Sequence, residues 1–276
     1  PVHSFKLRGA YNKIAQLPEE ARARGVIAAS AGNHAQGCAL SGAKLGVKAT
    51  IVMPKTTPDI KVDAVRRFGG NVVLFGNSFD EAYAESQRLA KEEGLTLIPP
   101  YDDPDVIAGQ GTIAREILEQ LHGDLDVLIV PVGGGGLIAG LAAYLRERSP
   151  HTSIVGVEPA GAASMTAALV AGGPVTLPEV EPFVDGAAVK RIGDLPYAVV
   201  SRLGAEVVTH SNLPLVAALR REGLGSGPFG LAQVDEGAIC TAMLELYQNE
   251  GVIAEPAGAL AVTALESLAV QPGANV

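Results

Sequence analysis

From Val127 to Leu145 the chain carries no charge, and this stretch constrains the fold more than any other. Its length alone admits a membrane-spanning helix, which needs about 20 apolar residues. Four consecutive glycines, Gly133 to Gly136, divide it, and Asp124, Asp126, Arg146, Glu147 and Arg148 flank it on both sides. A buried strand, a glycine turn and a helix account for the same residues better. Side-chain-free amides opening a helix also make an anion site, because the unpaired N–H groups and the helix dipole both favour negative charge. One or two glycines suffice for a strand-to-helix turn, and four exceed that need. Glycine is in surplus throughout: 33 of 276 residues, or about 12% against a usual roughly 7%.

The strand–turn–helix unit recurs along the sequence. Val26 to Ala29 leads into a helical pattern from Asn33 to Leu45, and Ala49 to Met53 into one from Asp59 to Phe68. Asn71 to Phe75 leads into Ser78 to Glu93, where Ser78 with Glu81 three residues on reads as a capping box. Repeated βα units predict an α/β fold, a parallel sheet with helices on both faces. The stretch Pro99-Pro100-Tyr101-Asp102-Asp103-Pro104 interrupts the series. A second series follows: a helix from about Asp105 to Leu121, a strand from Asp126 to Val132, the glycine loop, a helix to about Arg148 and a strand from Ser153 to Glu158. Helices from about Glu236 and about Pro256 close the sequence. Ala205 to Gln233 does not follow this rhythm, and its glycine and proline punctuation reads as a surface excursion that carries no site. The expected organisation is two lobes of mostly parallel twisted sheet, with residues 1–25 and 101–276 in a large lobe and 26–100 in a smaller one inserted in it. In open α/β sheets ligands sit outside the carboxyl ends of the strands. Ser30 to His34 and Gly133 to Gly136 both fall at such ends.

Composition removes several functions. Lys+Arg number 21 against 30 Asp+Glu, a net charge of −9 with no basic run, so the electrostatic footprint of a nucleic-acid partner is missing. Cys38 and Cys240 are too few for a disulfide framework and lack CxxC spacing, and they read as buried thiols of a reducing compartment, the cytoplasm. Pro1-Val2-His3-Ser4-Phe5-Lys6 is no leader and opens as though within a domain. No metal site and no membrane partner are expected.

Two phosphate ligands compete for the glycine loop. Gly134-x-Gly136-x-x-Ala139 satisfies the dinucleotide fingerprint, and Glu158 ends the next strand where a ribose-binding acid belongs, so an NAD(P)-binding oxidoreductase is one reading. A fingerprint helix follows the first strand of a nucleotide-binding half, however, and here several βα units come earlier. The pattern G-x-x-x-x-G-K-[ST] of NTPases is absent.

Two further stretches could carry chemistry. In Ser4-Phe5-Lys6 a lysine stands beside an aromatic ring, as Schiff-base chemistry with a phosphate-bearing aldehyde requires. Alone, Lys6 reads as a surface cation and Phe5 as core. In Ser30-Ala31-Gly32-Asn33-His34 the backbone amides, the Ser30 hydroxyl and the Asn33 amide can hold a carboxylate and an acceptor oxygen. Simple capping of the next helix by Ser30 or Asn33 explains the same loop, and His34 alone reads as structural.

Together these motifs resemble one family. Ser-Phe-Lys-Leu-Arg-Gly-Ala at 4–10, Ser-Ala-Gly-Asn-His-Ala-Gln-Gly at 30–37, Val-Ile-Ala-Gly-Gln-Gly-Thr at 106–112 and Pro-Val-Gly-Gly-Gly-Gly-Leu at 131–137 look like the threonine dehydratases. These are pyridoxal-phosphate lyases of the fold-type II, tryptophan-synthase-β-like group. Glu158-Pro159, Asp185 to Arg191 and Ala254 to Leu260 continue the match in order. The resemblance implies pyridoxal 5'-phosphate as cofactor and Lys6 as the Schiff-base lysine and general base. Phe5 and Gly186 would bracket the pyridoxal ring, Asn33 would bind its hydroxyl, and Gly133, Gly134, Gly135, Gly136 and Leu137 would bind its phosphate. Ser30, Ala31, Gly32, Asn33 and His34 would bind the substrate carboxylate, and Glu158 loses its ribose role. The implied reaction is conversion of L-threonine to 2-oxobutanoate and ammonia in branched-chain amino-acid synthesis, by a homo-oligomer, commonly a tetramer. Serine dehydratase and serine racemase are the alternatives within the group. Racemases carry a second serine where this chain has Ala31, which cannot exchange a proton, so elimination is favoured. The family also places a Ser/Thr ligand of the pyridine nitrogen downstream of Leu260, and a strand ahead of Ser4. Neither is in this sequence, which reads as an interior piece of an enzyme.

Overall fold

The computed structural model of the protein describes residues 2–203, 206–207, 229–265 and 273–276. The chain divides into two compact units, Pro1–Gln110 and Gly111–Val276.

In the first unit, α1 (Lys6–Gln16) and α2 (Glu19–Arg24) precede β1 (Val26–Ala29), α3 (Asn33–Leu45), β2 (Ala49–Met53), α4 (Asp59–Arg67), β3 (Asn71–Leu74), α5 (Phe79–Glu93) and β4 (Thr96–Leu97). The helix α6 (Pro104–Gln120) begins in this unit and ends in the next. The strands form one parallel sheet of order β3-β2-β1-β4, with Ala28 opposite Ile51 and Val52 opposite Val73. β1 and β2 are buried along their whole length, which is why they read as apolar runs and not as alternations. Their side chains nonetheless divide between two faces: Ala28, Ile51 and Met53 pack with Ala10, Ile14, Ala35 and Cys38, whereas Ile27 and Val52 pack with Ala82, Ala90 and Leu95. Ser78 caps α5 in a complete capping box with Glu81, as the spacing predicts. The chain steps outward from β1 to β2 and β3, then returns to place β4 on the other side of β1. That reversal makes a topological switch point at the carboxyl ends of β1 and β4, where ligands of such sheets bind.

In the second unit the order is β5 (Val127–Pro131), α7 (Gly136–Arg148), β6 (Ser153–Pro159), α8 (Ser164–Ala171), α9 (Asp194–Arg202), β7 (Glu206–Val207), β8 (Phe229–Val234), α10 (Glu236–Glu250) and α11 (Pro256–Leu265). Again the sheet is parallel, of order β5-β6-β8-β7. One core holds Val130, Ile138, Leu141, Leu145, Ile154, Met165 and Leu231. The other holds Val155, Val157, Val184, Ala232, Ile239 and Leu260.

Two expectations are corrected. Ala205 to Gln233 is not wholly an excursion, because its last residues belong to β8, an inner strand with Val157 opposite Ala232, and Glu206–Val207 forms β7. A short apolar run directly after a glycine cluster shows no alternation, so burial on both faces hides it. Residues 208–228 lie outside the described residues. Cys38 is a buried thiol as expected, but Cys240 is exposed on α10. The uncharged stretch resolves into β5, the glycine loop and most of α7, and among the described residues no helix is long and apolar enough to cross a membrane.

Candidate functional site

Lys6 is the first residue of α1. Its backbone amide donates to Ser4 Oγ at 3.3 Å, its Nζ donates to the carbonyl of Pro100 at 3.1 Å, and Nζ lies 5.4 Å from the centroid of the Phe5 ring. Pro100 stands just past β4, so the amine is held at the carboxyl end of that strand. Gly37 on α3 makes the approach possible: a Cβ there would meet Leu7 N at 3.1 Å and Lys6 C at 3.2 Å.

The loop Ser30–His34 joins β1 to α3 at the same switch point. Capping does not explain it. The N-cap is Gly32 and no side chain caps α3, while Ser30 Oγ accepts the Gly32 amide at 3.2 Å. The first intrahelical bond runs from Gln36 N to Gly32 O, so the amides of Asn33, His34 and Ala35 have no acceptor within the helix. Gly32 has φ −122°, and a Cβ on it would meet nothing within 4 Å. Neither a left-handed turn nor internal packing asks for glycine here, and what its missing side chain leaves is open space.

His34 is 4% exposed and its Nε2 lies 2.8 Å from the carbonyl of Ile98. A carbonyl can only accept, so Nε2 carries the proton. Burial, followed by the nearby charge of Lys6, lowers the imidazole pKa to about 4 against the bond to Ile98, which favours the charged form. The ring is therefore neutral. Cys38 Sγ is 3.5 Å from Nε2, and burial pushes that thiol up despite Lys6.

In the second unit, the glycine loop carries β5 into α7. Gly135 is the N-cap with φ +87°, a conformation that costs an L side chain about 1–2 kcal/mol. A Cβ there would also meet Ile192 Cδ1 and Pro196 Cβ at 2.8 Å. A Cβ on Gly133 would meet Ala187 Cα at 2.9 Å and Gly186 O at 3.4 Å, which brings Gly186 against the loop. A Cβ on Gly186 would in turn meet Ala257 Cβ at 2.9 Å. Gly134 offers its carbonyl to the Gly193 amide at 3.2 Å. Packing thus accounts for Gly133 and Gly135, and the run also delivers a helix start that no side chain caps. No side chain caps α7, and since Ala139 N is the first amide bonded back, to Gly135 O at 3.0 Å, those of Gly136, Leu137 and Ile138 have no acceptor within the helix.

Glu158 is fully buried. Oε1 accepts from Met165 N at 2.7 Å, and Oε2 accepts from Thr166 N at 2.9 Å and Thr166 Oγ1 at 2.7 Å. Burial raises its pKa against these three donors. The carboxylate is occupied with the start of α8, which removes the ribose ligand that a dinucleotide reading of Gly134 and Gly136 needs. Among the described residues, no group of three or more His, Cys, Asp or Glu could hold a metal ion. The carbonyls of Ile98 and Pro100 escaped sequence reasoning, because a backbone acceptor has no residue signature. The Pro99-Pro100 pair was the available signal, and it reads only as a break.

A family model described as pyridoxal-phosphate dependent enzyme matches residues 1–276. The biosynthetic L-threonine dehydratase of Mycobacterium leprae is 50% identical over the whole of this chain and 60% of its own length. That of Escherichia coli is 49% identical over 96% of this chain and 47% of its own length. Among solved structures, the processed form of threonine deaminase isoform 2 from Solanum lycopersicum superposes with a TM-score of 0.85 at 45% identity, covering 96% of this chain and 70% of that one. Maize serine racemase gives 0.81 at 34% identity, over 95% and 71%. The chain thus spans less than two thirds of the length of these two dehydratases.

Proposed function

We propose that this chain, which belongs to the pyridoxal-phosphate-dependent enzyme family, is the catalytic region of an enzyme that converts L-threonine to 2-oxobutanoate and ammonia. The observation that carries the reading is the Lys6 amine at the carboxyl end of β4, in a unit where no side chain caps the start of α3 and a Cβ on Gly32 would meet no atom within 4 Å. The residues fit the cofactor. The uncapped start of α7 suits its phosphate, Lys6 is the amine for its aldehyde, and an open Gly32 admits a carboxylate. When bound, pyridoxal phosphate supplies an electron-accepting ring that makes the α-proton of an amino acid removable.

The chain's own residues divide the remaining work. By the family resemblance Gly133 to Leu137 would hold the phosphate with backbone amides, Phe5 and Gly186 would border the ring, and Asn33 would bond its hydroxyl. Ser30 to His34 hold the substrate carboxylate and so fix which bond at Cα faces Lys6. The Lys6 amine takes the α-proton as general base. Neutral His34 adds no second positive charge beside that amine. Ala31 has no proton to exchange, which supports elimination over racemisation. We place the enzyme in the cytoplasm and in a homo-oligomer, on the strength of the family resemblance and of two free cysteines.

Borohydride reduction of the protein with its cofactor, followed by peptide mapping, tests the assignment. The label is expected on Lys6, and Lys6→Ala is expected to abolish both label and 2-oxobutanoate formation. Label on another lysine refutes it. Turnover of threonine, of serine, and formation of D-serine separate the dehydratase from the two alternatives within the family.

A further inference from the structure

The motif Val106 to Thr112 is assigned no part in the chemistry above, yet it contains a glutamine that is 1% exposed. We propose that Gln110 is a positioning residue for Lys6, acting through the first turn of α1; the inference rests on Lys6 being the cofactor lysine. Gln110 Oε1 accepts the backbone amide of Gly9 at 3.2 Å, across 101 positions of sequence. A second side-chain bond to that turn is local, with Ser4 Oγ accepting the Lys6 amide at 3.3 Å. Phe5 at the N-cap supplies no side-chain bond, there is no acidic residue in the first turn, and the Arg8 amide takes the Phe5 carbonyl at 2.9 Å. Gln110 is thus a remote cap on the turn that begins with Lys6, and Gly9 lies on the same helix face three residues on.

The backbone is shaped to let that cap reach. A Cβ on Gly9 would meet Gln110 Nε2 at 2.3 Å and Val106 O at 2.7 Å, and a Cβ on Gly109 would meet Arg8 O and Gly9 Cα, both at 2.7 Å. Two facing glycines therefore bring α1 and the start of α6 into backbone contact. Further along α1, Lys13 Nζ pairs with Asp103 and Asp105 at 2.9 Å each, and Asn12 Nδ2 donates to Asp105 O at 2.7 Å. These outer contacts hold the body of α1, whereas the Gln110 bond acts on the backbone of the turn that begins with Lys6. A leucine would fill the same space without burying an amide, so the polar group is offset by the bond it makes to Gly9. Small displacements of a reacting group cost large rate factors, and this bond limits how far the start of α1 can move.

The experiment uses the holoenzyme with Gln110→Leu, which removes the acceptor, and Gln110→Glu, which keeps one. Borohydride mapping of the unsubstituted protein comes first, and label away from Lys6 overturns both this proposal and the reading beneath it. With label on Lys6, Gln110→Leu is expected to speed hydrogen exchange of the Gly9 amide and release of the cofactor, each by about tenfold. Gln110→Glu is expected to restore both rates. It should also shift the pH midpoint of the cofactor's visible absorbance upward by roughly half a unit, a threefold change in proton affinity, because a carboxylate then faces the turn that holds Lys6. A merely space-filling residue would leave that midpoint in place. Unchanged exchange and release in Gln110→Leu, with label on Lys6, overturns the proposal while sparing the reading. Should Gln110→Leu not fold, the midpoint of Gln110→Glu decides: an upward shift supports the proposal and no shift overturns it.

Discussion

Gly32→Ala separates a site from a structural turn, because the two readings of that glycine predict opposite outcomes. The added methyl meets no atom within 4 Å, and φ is −122°, so neither collision nor left-handed strain opposes it. Replacing glycine restricts the unfolded chain and stabilises by about 0.4–1 kcal/mol. Alanine is a poorer N-cap than glycine by a similar few tenths to about 1 kcal/mol. The two nearly cancel, and the melting temperature is expected to stay within a few degrees of the starting protein. Binding is a different matter. The methyl occupies open space beside the start of α3, where the proposed carboxylate site lies, and losing one hydrogen bond to a charged carboxylate costs about 1.5–3 kcal/mol. The KM for threonine is therefore expected to rise roughly tenfold or more, with a smaller change in kcat because the contact persists from ground state to transition state. Thermal unfolding and steady-state kinetics on one preparation suffice. An unchanged KM with an unchanged melting temperature refutes the carboxylate assignment, and a large loss of stability refutes the steric reasoning.

Gly135→Ala should behave in the opposite way. The φ of +87° and the contacts at 2.8 Å with Ile192 and Pro196 together cost about 2–5 kcal/mol, so denaturant unfolding should show a clear loss even without cofactor; equal stability refutes the packing described. His34 predicts a pH dependence. Its folded pKa is about 4 against an ordinary 6.5, so the unfolded chain binds a proton below pH 6.5 that the folded protein refuses until about 4. Its contribution is complete above pH 6.5 and lost as pH falls through that window, by about 3 kcal/mol at 1.36 kcal/mol per unit. Urea midpoints against pH for the protein and for His34→Gln should converge on acidification, and parallel curves refute a buried neutral ring.

Much of the fold was legible because it is local. β1 and β2 are short apolar runs, Ser78 and Glu81 form the expected capping box, and the four glycines do end a strand and begin a helix. Patterns of this kind depend on residues within a turn or two of each other, where period, propensity and capping chemistry operate directly. The Ser30–His34 loop and the glycine loop stand out as candidates in the same way, since each is a compact run of unusual residues, whereas Lys6 stands out only through the family motif around it. β8 was not, because burial on both faces erases the alternation that marks a strand.

What the sequence determined by itself was the α/β character, the strand-to-helix loops and the family motifs, all carried by contiguous residues. Only the tertiary structure decided what each polar group in those motifs is spent on. Glu158 reads as a ribose ligand from spacing and proves to hold the start of α8. Ser30 reads as a helix cap and instead takes the amide of Gly32. Lys6, His34 and Gly9 find their partners on Pro100, Ile98 and Gln110, between 64 and 101 positions away. Two of those partners are backbone carbonyls, identical at every residue, so no pattern of side chains can announce them. Only chain crossings bring them within reach.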